Sequence, residues 1–237
     1  MKVYLLNESR KDMGAIVNSV VIIIGSLLGL LIGQRLSEKL NLALMQGIGI
    51  VILTLGVSGA IEGQNALVMI LSIVLGTLLG EMIDIDARVS DLVHSLSGKF
   101  QKGGDDTQLA QGFLSATMMF CIGSMAIVGS LESGLIGDNA TLYTKSVIDG
   151  ITAILLTSSL GIGVILSSIP VLLYQGAIIL FAQLLVPFLQ DAVILEMTSV
   201  GSILLIGMGL NILNITEIKV MNMVPALIIP VIIMQFI

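Results

Sequence analysis

The sequence predicts an all-α membrane protein, a polytopic bundle of transmembrane helices. Hydrophobic residues make up 56% of the 237-residue chain and charged residues only 11%, whereas a soluble domain carries about 25% charged residues. The run 14–33, GAIVNSVVIIIGSLLGLLIG, has no charged residue, and as a helix it spans the hydrocarbon core of a bilayer. Several similar runs follow, so we expect one transmembrane domain, 1–237.

The apolar runs predict eight spans, with seven as the alternative. Their ranges are 14–33, 43–61, 65–81, 109–130, 141–160, 162–187, 196–214 and 219–236. The fifth carries Lys145, Ser146 and Asp149 in its first half, so a re-entrant or broken helix is the alternative there. The sixth is interrupted by Pro170 and Gln175.

The first twelve residues form a charged leader that lacks a small-residue cleavage site. The apolar run behind it is too long for a signal-peptide core, so we expect the first span to be retained. Met13 stands directly before that span. A start at Met13 and a native leader both stay open.

The segment 82–108 is the long polar connection of the chain. Ile85, Val89, Leu92 and Leu96 recur in it at spacings of three and four residues, which predicts an amphipathic interfacial helix. The loops on its side of the membrane collect six basic residues: Arg35, Lys39, Arg88, Lys99, Lys102 and Lys219. The other side holds Lys145, plus three in the leader if it is native. We therefore expect this linker to be cytoplasmic and the N-terminus to be outside.

The two ends of the chain resemble each other. The run GAIVNSVVII from Gly14 aligns with GVILSSIPVL from Gly163, and a second pair of similar runs begins at Met45 and Met197. Two three-span units, 14–81 and 162–236, would then enter the membrane in opposite senses, as an inverted repeat. Chance likeness between runs rich in glycine, isoleucine and leucine is the alternative.

Glycines spaced by four residues mark two spans. Gly25, Gly29 and Gly33 lie on the first span, and Gly76 and Gly80 lie on the third. Such spacing lets helix backbones approach closely. We expect these glycines to serve helix packing, with a glycine-lined path for a solute as the alternative.

The central pair, 109–160, is rich in glycine, serine and threonine, and a broken helix is expected because a uniform lipid-facing helix needs no such composition. Asp149 is the leading candidate for a ligand of an ion or a proton, since intramembrane carboxylates usually face a pathway or the bundle interior. Its alternatives are a place near the interface or a pair with Lys145, one turn earlier.

Neutral polar residues supply further candidate ligands for an ion or solute. They are Asn18, Ser19, Gln46, Ser124, Ser158, Ser159, Gln175, Asn211 and Asn214, of which we select Asn18, Ser124, Asn211, Gln46 and Ser158 for the predicted site. Asn18 and Asn211 lead this group because they fall in opposite repeats, where a site at the membrane midplane would form. Hydrogen bonds to neighbouring helices are the alternative role for each.

Other functions lack the residues they need. One cysteine, Cys121, and one histidine, His94, provide no ligand set for zinc, iron–sulfur or haem. No phosphate loop, dinucleotide motif or nucleophile with its base is present, so we expect neither an enzyme nor a cofactor. A net charge of −6 argues against nucleic acid as a partner.

Several blocks resemble a known family. The pattern from Gly14 to Asn18, FCIGSMAIVGS at 120–130, LYTKSVIDG at 142–150 and EMTSVGSILLIGMGLN at 196–211 are similar to Domain of Unknown Function 554, also labelled YqgA-like. The resemblance runs from Met13 to the C-terminus. It implies a bacterial inner-membrane protein, a transporter by common description, and supplies no substrate or catalytic residue.

These observations favour a secondary transporter for an ion or small solute, working by alternating access. Its expected partners are the lipid bilayer and a solute or cation, with H⁺ and Na⁺ as the cations considered and a homo-oligomer left open. A channel or pore is the second hypothesis. A structural or partner-binding membrane component that transports nothing is the third.

Overall fold

The structure, a computed structural model, describes residues 13–33, 37–89, 91 and 106–236. Its elements are α1 Met13–Gly33, α2 Glu38–Glu62, α3 Ala66–Ile83, α4 Asp106–Ile122, α5 Ser124–Ile136, α6 Ala140–Leu160, α7 Gly163–Leu166, α8 Ser168–Leu180, α9 Ala182–Leu185, α10 Asp191–Ile212, the 3₁₀ helix Val220–Leu227 and α11 Ile229–Ile233. No strand occurs within this described part. The predicted all-α fold class is confirmed.

Among the residues that the structure describes, five helical segments are long and apolar enough to cross a bilayer. They are α1, α2, α3, Gly163–Leu180 and α10, and α4 with α5 would make a sixth as one span bent by 60°. Helix α6 has sufficient length, with 21 residues, but Lys145 and Asp149 lower its hydropathy. The chain is thus a polytopic helical membrane protein, while the count of eight spans and the inverted repeat stay predictions.

Helix breaks occur where the chain cannot continue its backbone hydrogen bonds. Pro170 has no N–H for the carbonyl of Leu166, and α7 ends at that residue. Proline is tolerated in the first turn of a helix, so α8 begins at Ser168 and runs through Gln175. The bend between α4 and α5 falls at Gly123, which has extended backbone angles. This bend lies in the segment predicted to be broken.

The chain forms two compact units that interleave in sequence. Among the described residues, one comprises 13–33 and 112–187, and the other comprises 37–89, 91, 106–111 and 188–236. In the first unit α1 packs along α6, and α8 packs against α5. In the second unit α2 packs along α10, and α3 packs against the 3₁₀ helix.

Glycines allow the closest helix contacts in the first unit. A Cβ atom at Gly25 would lie 2.5 Å from the carbonyl oxygen of Gly150, and one at Gly29 would lie 2.5 Å from that of Ile154. Both distances are too short for a side chain. Helix α1 therefore lies directly on the backbone of α6, and Gly33 continues the contact one turn further.

The second unit uses glycine in the same way. Gly76 and Gly80 of α3 lie against the backbone of Ala226 and Asn222 in the 3₁₀ helix. Both of these 3₁₀ residues are completely buried. The predicted packing glycines of the third span are thus positioned at a helix contact.

The chain turns after α3 at Asp84, which has a positive φ of 51°. Residues 85–89 are helical, and Asn222 accepts a hydrogen bond from the N–H of Asp86 at 2.7 Å. Most of the predicted amphipathic linker, 92–105, lies outside the described residues.

Candidate functional site

Four polar side chains meet inside the first unit. Asn18 comes from α1, Lys145 and Asp149 come from α6, and Gln175 comes from α8. Asn18 and Gln175 have no exposed surface, and Lys145 and Asp149 are 5% exposed each. We call these four residues the polar centre.

The charged half of the polar centre is an ion pair along α6. Residues four apart lie on the same face of a helix, and the Nζ of Lys145 lies 2.5 Å from the Oδ2 of Asp149. The ammonium also lies over the ring of Phe120, 5.9 Å from its centroid. An aromatic face attracts a cation, so Phe120 adds to the stabilisation of Lys145.

The amide half links the ion pair to two other helices. The Nδ2 of Asn18 donates to the Oδ2 of Asp149 at 3.0 Å and to the Oε1 of Gln175 at 3.3 Å. Helix α1 can supply this side chain because its buried residues recur at spacings of three and four: Gly14, Asn18, Ile22, Gly25 and Gly29. The same stripe that carries the packing glycines therefore carries Asn18.

The hydrogen bonds fix the orientation of both amides. A carboxylate only accepts, so the nitrogen of Asn18 must face Asp149, and Gln175 must turn its oxygen toward that nitrogen. Two buried atoms are then left with no partner among the described residues, the Oδ1 of Asn18 and the Nε2 of Gln175. Each such atom costs about 1–3 kcal/mol of desolvation free energy.

The polar centre therefore combines one charge of each sign with a free acceptor and a free donor. Reorienting the Lys145 and Asp149 side chains would offer a cation and an anion to a ligand. The free amide atoms would offer hydrogen bonds at the same place. Such an arrangement can bind and release a small polar ligand without a covalent step.

The other predicted ligands lie elsewhere. Ser124 is exposed at the first position of α5, and Gln46 is exposed on α2. Ser158 donates to the carbonyl of Leu155 at 2.8 Å. Their role in binding stays a prediction.

Asn211 belongs to the second unit, where it braces the turn after α10. Its Nδ2 donates to the carbonyl of Ile218 at 2.7 Å. Its Oδ1 accepts from the hydroxyl of Thr216 at 2.8 Å and from the N–H of Ile218 at 2.9 Å. These contacts occupy both ends of the amide, so Asn211 has a clear structural role.

Two buried residues of the structure lie outside the set selected for the predicted site. Gln175 is one of the neutral polar candidates, and the structure places it on the buried face of α8 with Val171 and Ile178. Glu196 stands near the start of α10 and is 2% exposed. A carboxylate within an apolar segment was the available signal for Glu196.

Glu196 ties the turn between α2 and α3 to α10 within the second unit. Its Oε1 accepts from the N–H groups of Gln64 and Asn65, both at 2.8 Å. Asn65 in turn caps α3, because its Oδ1 accepts from the N–H groups of Leu67 and Val68. The carboxylate thus holds the start of α3.

Replacing Glu196 by alanine is expected to lower the free energy of unfolding by about 3 kcal/mol, since two charge-assisted hydrogen bonds are lost. Glu196→Gln keeps the accepting oxygen and should lose less. Unfolding in mixed micelles, followed by helical circular dichroism, measures both. Glu217 is exposed, so Glu217→Gln is the control. Equal stability of Glu196→Ala and this control would show that the two bonds do not stabilise the turn.

Comparison with known proteins matches almost the whole chain to one family. The family model described as "Protein of unknown function (DUF554)" matches residues 13–235. "Uncharacterized membrane protein YdfK" of Bacillus subtilis (strain 168) is 36% identical over 221 residues, which cover 92% of this chain and 93% of the relative.

A second relative is more distant. "Uncharacterized protein YqgA" of Escherichia coli (strain K12) is 30% identical over 217 residues, which cover 90% of this chain and 92% of the relative. No solved structure matches the chain significantly.

Proposed function

We propose that this chain, which belongs to the DUF554 family, is a secondary transporter of an ion or small solute. Transport would cross the bacterial inner membrane by alternating access, with the N-terminus outside and the 82–108 linker in the cytoplasm. The observation that carries the proposal is the polar centre: an ion pair and two amides buried inside a membrane protein.

Charged side chains are expensive within a membrane, and they usually mark a pathway or a binding site. The Lys145 and Asp149 pair lies in α6, which packs along α1, an uncharged helix of 21 residues. A pair of well-packed apolar residues would stabilise a purely structural contact as well or better. The presence of two charges beside two buried amides therefore supports a binding role.

One helix of the polar centre, α8, and the helix α5 that packs against it both adjoin breaks in the chain. Gln175 stands in α8, which begins after the break at Ser167 and ends at Phe181. Helix α5, which packs against α8, follows the 60° bend. Broken helices at membrane depth are typical of transporter binding sites, because they supply backbone polar groups and hinges.

A second candidate is a structural membrane component without transport. The contacts of Gly25 and Gly29 with the α6 backbone and the lack of exposed surface on Asn18 and Gln175 favour it. The two proposals differ in one property, which is access of water to the polar centre from both sides of the membrane.

Cysteine labelling tests this difference. In a Cys121→Ser background, single cysteines replace Asn18 or Gln175, and impermeant maleimide is added to right-side-out or inverted vesicles. We expect labelling from both sides, because alternating access opens the polar centre to each side in turn. Ile22 also has no exposed surface but is apolar and no member of the polar centre, so Ile22→Cys is the matched control and should stay protected. Equal protection of all three positions from both sides would favour the structural candidate.

A further inference from the structure

We infer that the polar centre binds a small polar solute without net charge, one that presents a hydrogen-bond donor beside an acceptor. The inference rests on the proposed function, and it names the class of substrate at the same site. Three features of the polar centre carry it: its charge balance, its free amide atoms and the fixed orientation of those amides.

The charge balance disfavours a bare ion as the ligand. Lys145 and Asp149 carry the two formal charges of the polar centre, and they cancel. A bound cation or anion would leave one uncompensated charge in a buried site, which is strongly unfavourable. A sodium ion at Asp149 would also lie beside the Lys145 ammonium. A solute without net charge, whether neutral or zwitterionic, avoids both costs.

The free amide atoms specify the polarity of the ligand. The Oδ1 of Asn18 accepts and the Nε2 of Gln175 donates, and both are buried without a partner in the described residues. The two side chains touch through the 3.3 Å bond between Nδ2 and Oε1. A ligand that satisfies both atoms must therefore donate and accept through groups only a few ångströms apart.

Two kinds of small solute carry a donor and an acceptor close enough together to satisfy both amide atoms. A primary amide carries an N–H donor and a carbonyl acceptor on one carbon. A small amino acid carries an ammonium and a carboxylate on one carbon, and it can also exchange partners with the Lys145 and Asp149 pair. Its net charge stays zero in that exchange, so the site remains balanced.

Ligand-dependent thermal unfolding tests the inference without requiring transport. The full chain is purified in detergent, and its melting is followed by helical circular dichroism with acetamide, glycine, sodium chloride, sodium acetate or methylammonium chloride at matched ionic strength. Acetamide represents the neutral kind of solute and glycine the zwitterionic kind. We expect one of these two to raise Tm by about 2–4 °C when its free concentration is roughly five times its Kd.

Two variants separate binding in the polar centre from general solvent effects. Gln175→Leu removes the free donor and should abolish the shift. Gln183 is an exposed glutamine of α9 in the same unit, so Gln183→Leu is the control and should keep it. If Gln175→Leu does not fold, Asn18→Ala removes the free acceptor and carries the same expectation.

A shift with any of the salts that equals or exceeds the shift with acetamide and glycine would overturn the inference. Absence of a shift with both acetamide and glycine up to saturating concentrations would also overturn it. Failure of the proposed function looks different, because solute binding would persist while Asn18→Cys and Gln175→Cys stay protected from maleimide on both sides.

Discussion

Replacing Asp149 by alanine is expected to lower the free energy of unfolding by about 3–5 kcal/mol. The substitution leaves the Lys145 ammonium buried, with 5% of the residue exposed, and removes its counter-charge 2.5 Å away. It also takes away the carboxylate that accepts from Asn18 at 3.0 Å. Reversible unfolding in mixed micelles measures the loss.

A double variant separates the buried unpaired charge from the loss of packing. Lys145→Met together with Asp149→Leu removes both charges and fills the space with apolar atoms, so it should be far more stable than either single variant. The exposed pair of Lys219 and Asp84, 3.9 Å apart, is the matched control. Lys219→Met should cost at most about 1 kcal/mol. Additive effects of the two single substitutions at 145 and 149 would contradict a coupled pair.

The second large effect is expected at Gly25. Gly25→Val should lower the free energy of unfolding by about 3 kcal/mol or more, because overpacking forces two helices apart. Its Cβ alone would lie 2.5 Å from the carbonyl oxygen of Gly150 and 3.3 Å from the Cβ of Ala153. The yield of folded protein and the unfolding free energy measure the effect.

Gly176 provides the matched control within the same unit. It lies in α8, and a Cβ there would have no atom within 4 Å apart from its chain neighbours and the backbone of its own helix. Gly176→Ala should therefore raise stability by up to about 1 kcal/mol, through the higher helix propensity of alanine. Similar stability of Gly25→Val and the wild-type chain would show that α1 and α6 can separate without cost.

The sequence predicted membrane helices well because bilayer thickness and hydropathy constrain each segment locally. Helix α1 is described over Met13–Gly33, which covers the predicted 14–33. The eighth predicted span was less predictable. Its range, 219–236, contains a 3₁₀ helix and the short α11, since Pro225 and Pro230 each remove a backbone donor.

Among the candidate residues too, some were predictable from their local sequence and others depended on contacts with distant segments. Asn18 and Asp149 stood out because polar residues in apolar runs are rare, and the structure joins them directly. Gln175 did not enter the predicted site, although the same argument applied to it. Its partner is 157 positions away in sequence, and no local pattern indicates that distance.

The sequence by itself determined the helical membrane class, the glycines that permit close packing and the polar residues too costly to face lipid. Tertiary structure decided which of those residues meet: Asn18 with Gln175 and Asp149, and Glu196 with the turn before α3. The physical reason is that hydropathy and periodicity indicate which face of a helix can contact lipid and which must be buried. They do not report which other helix covers that face, because this depends on contacts between segments far apart in the chain.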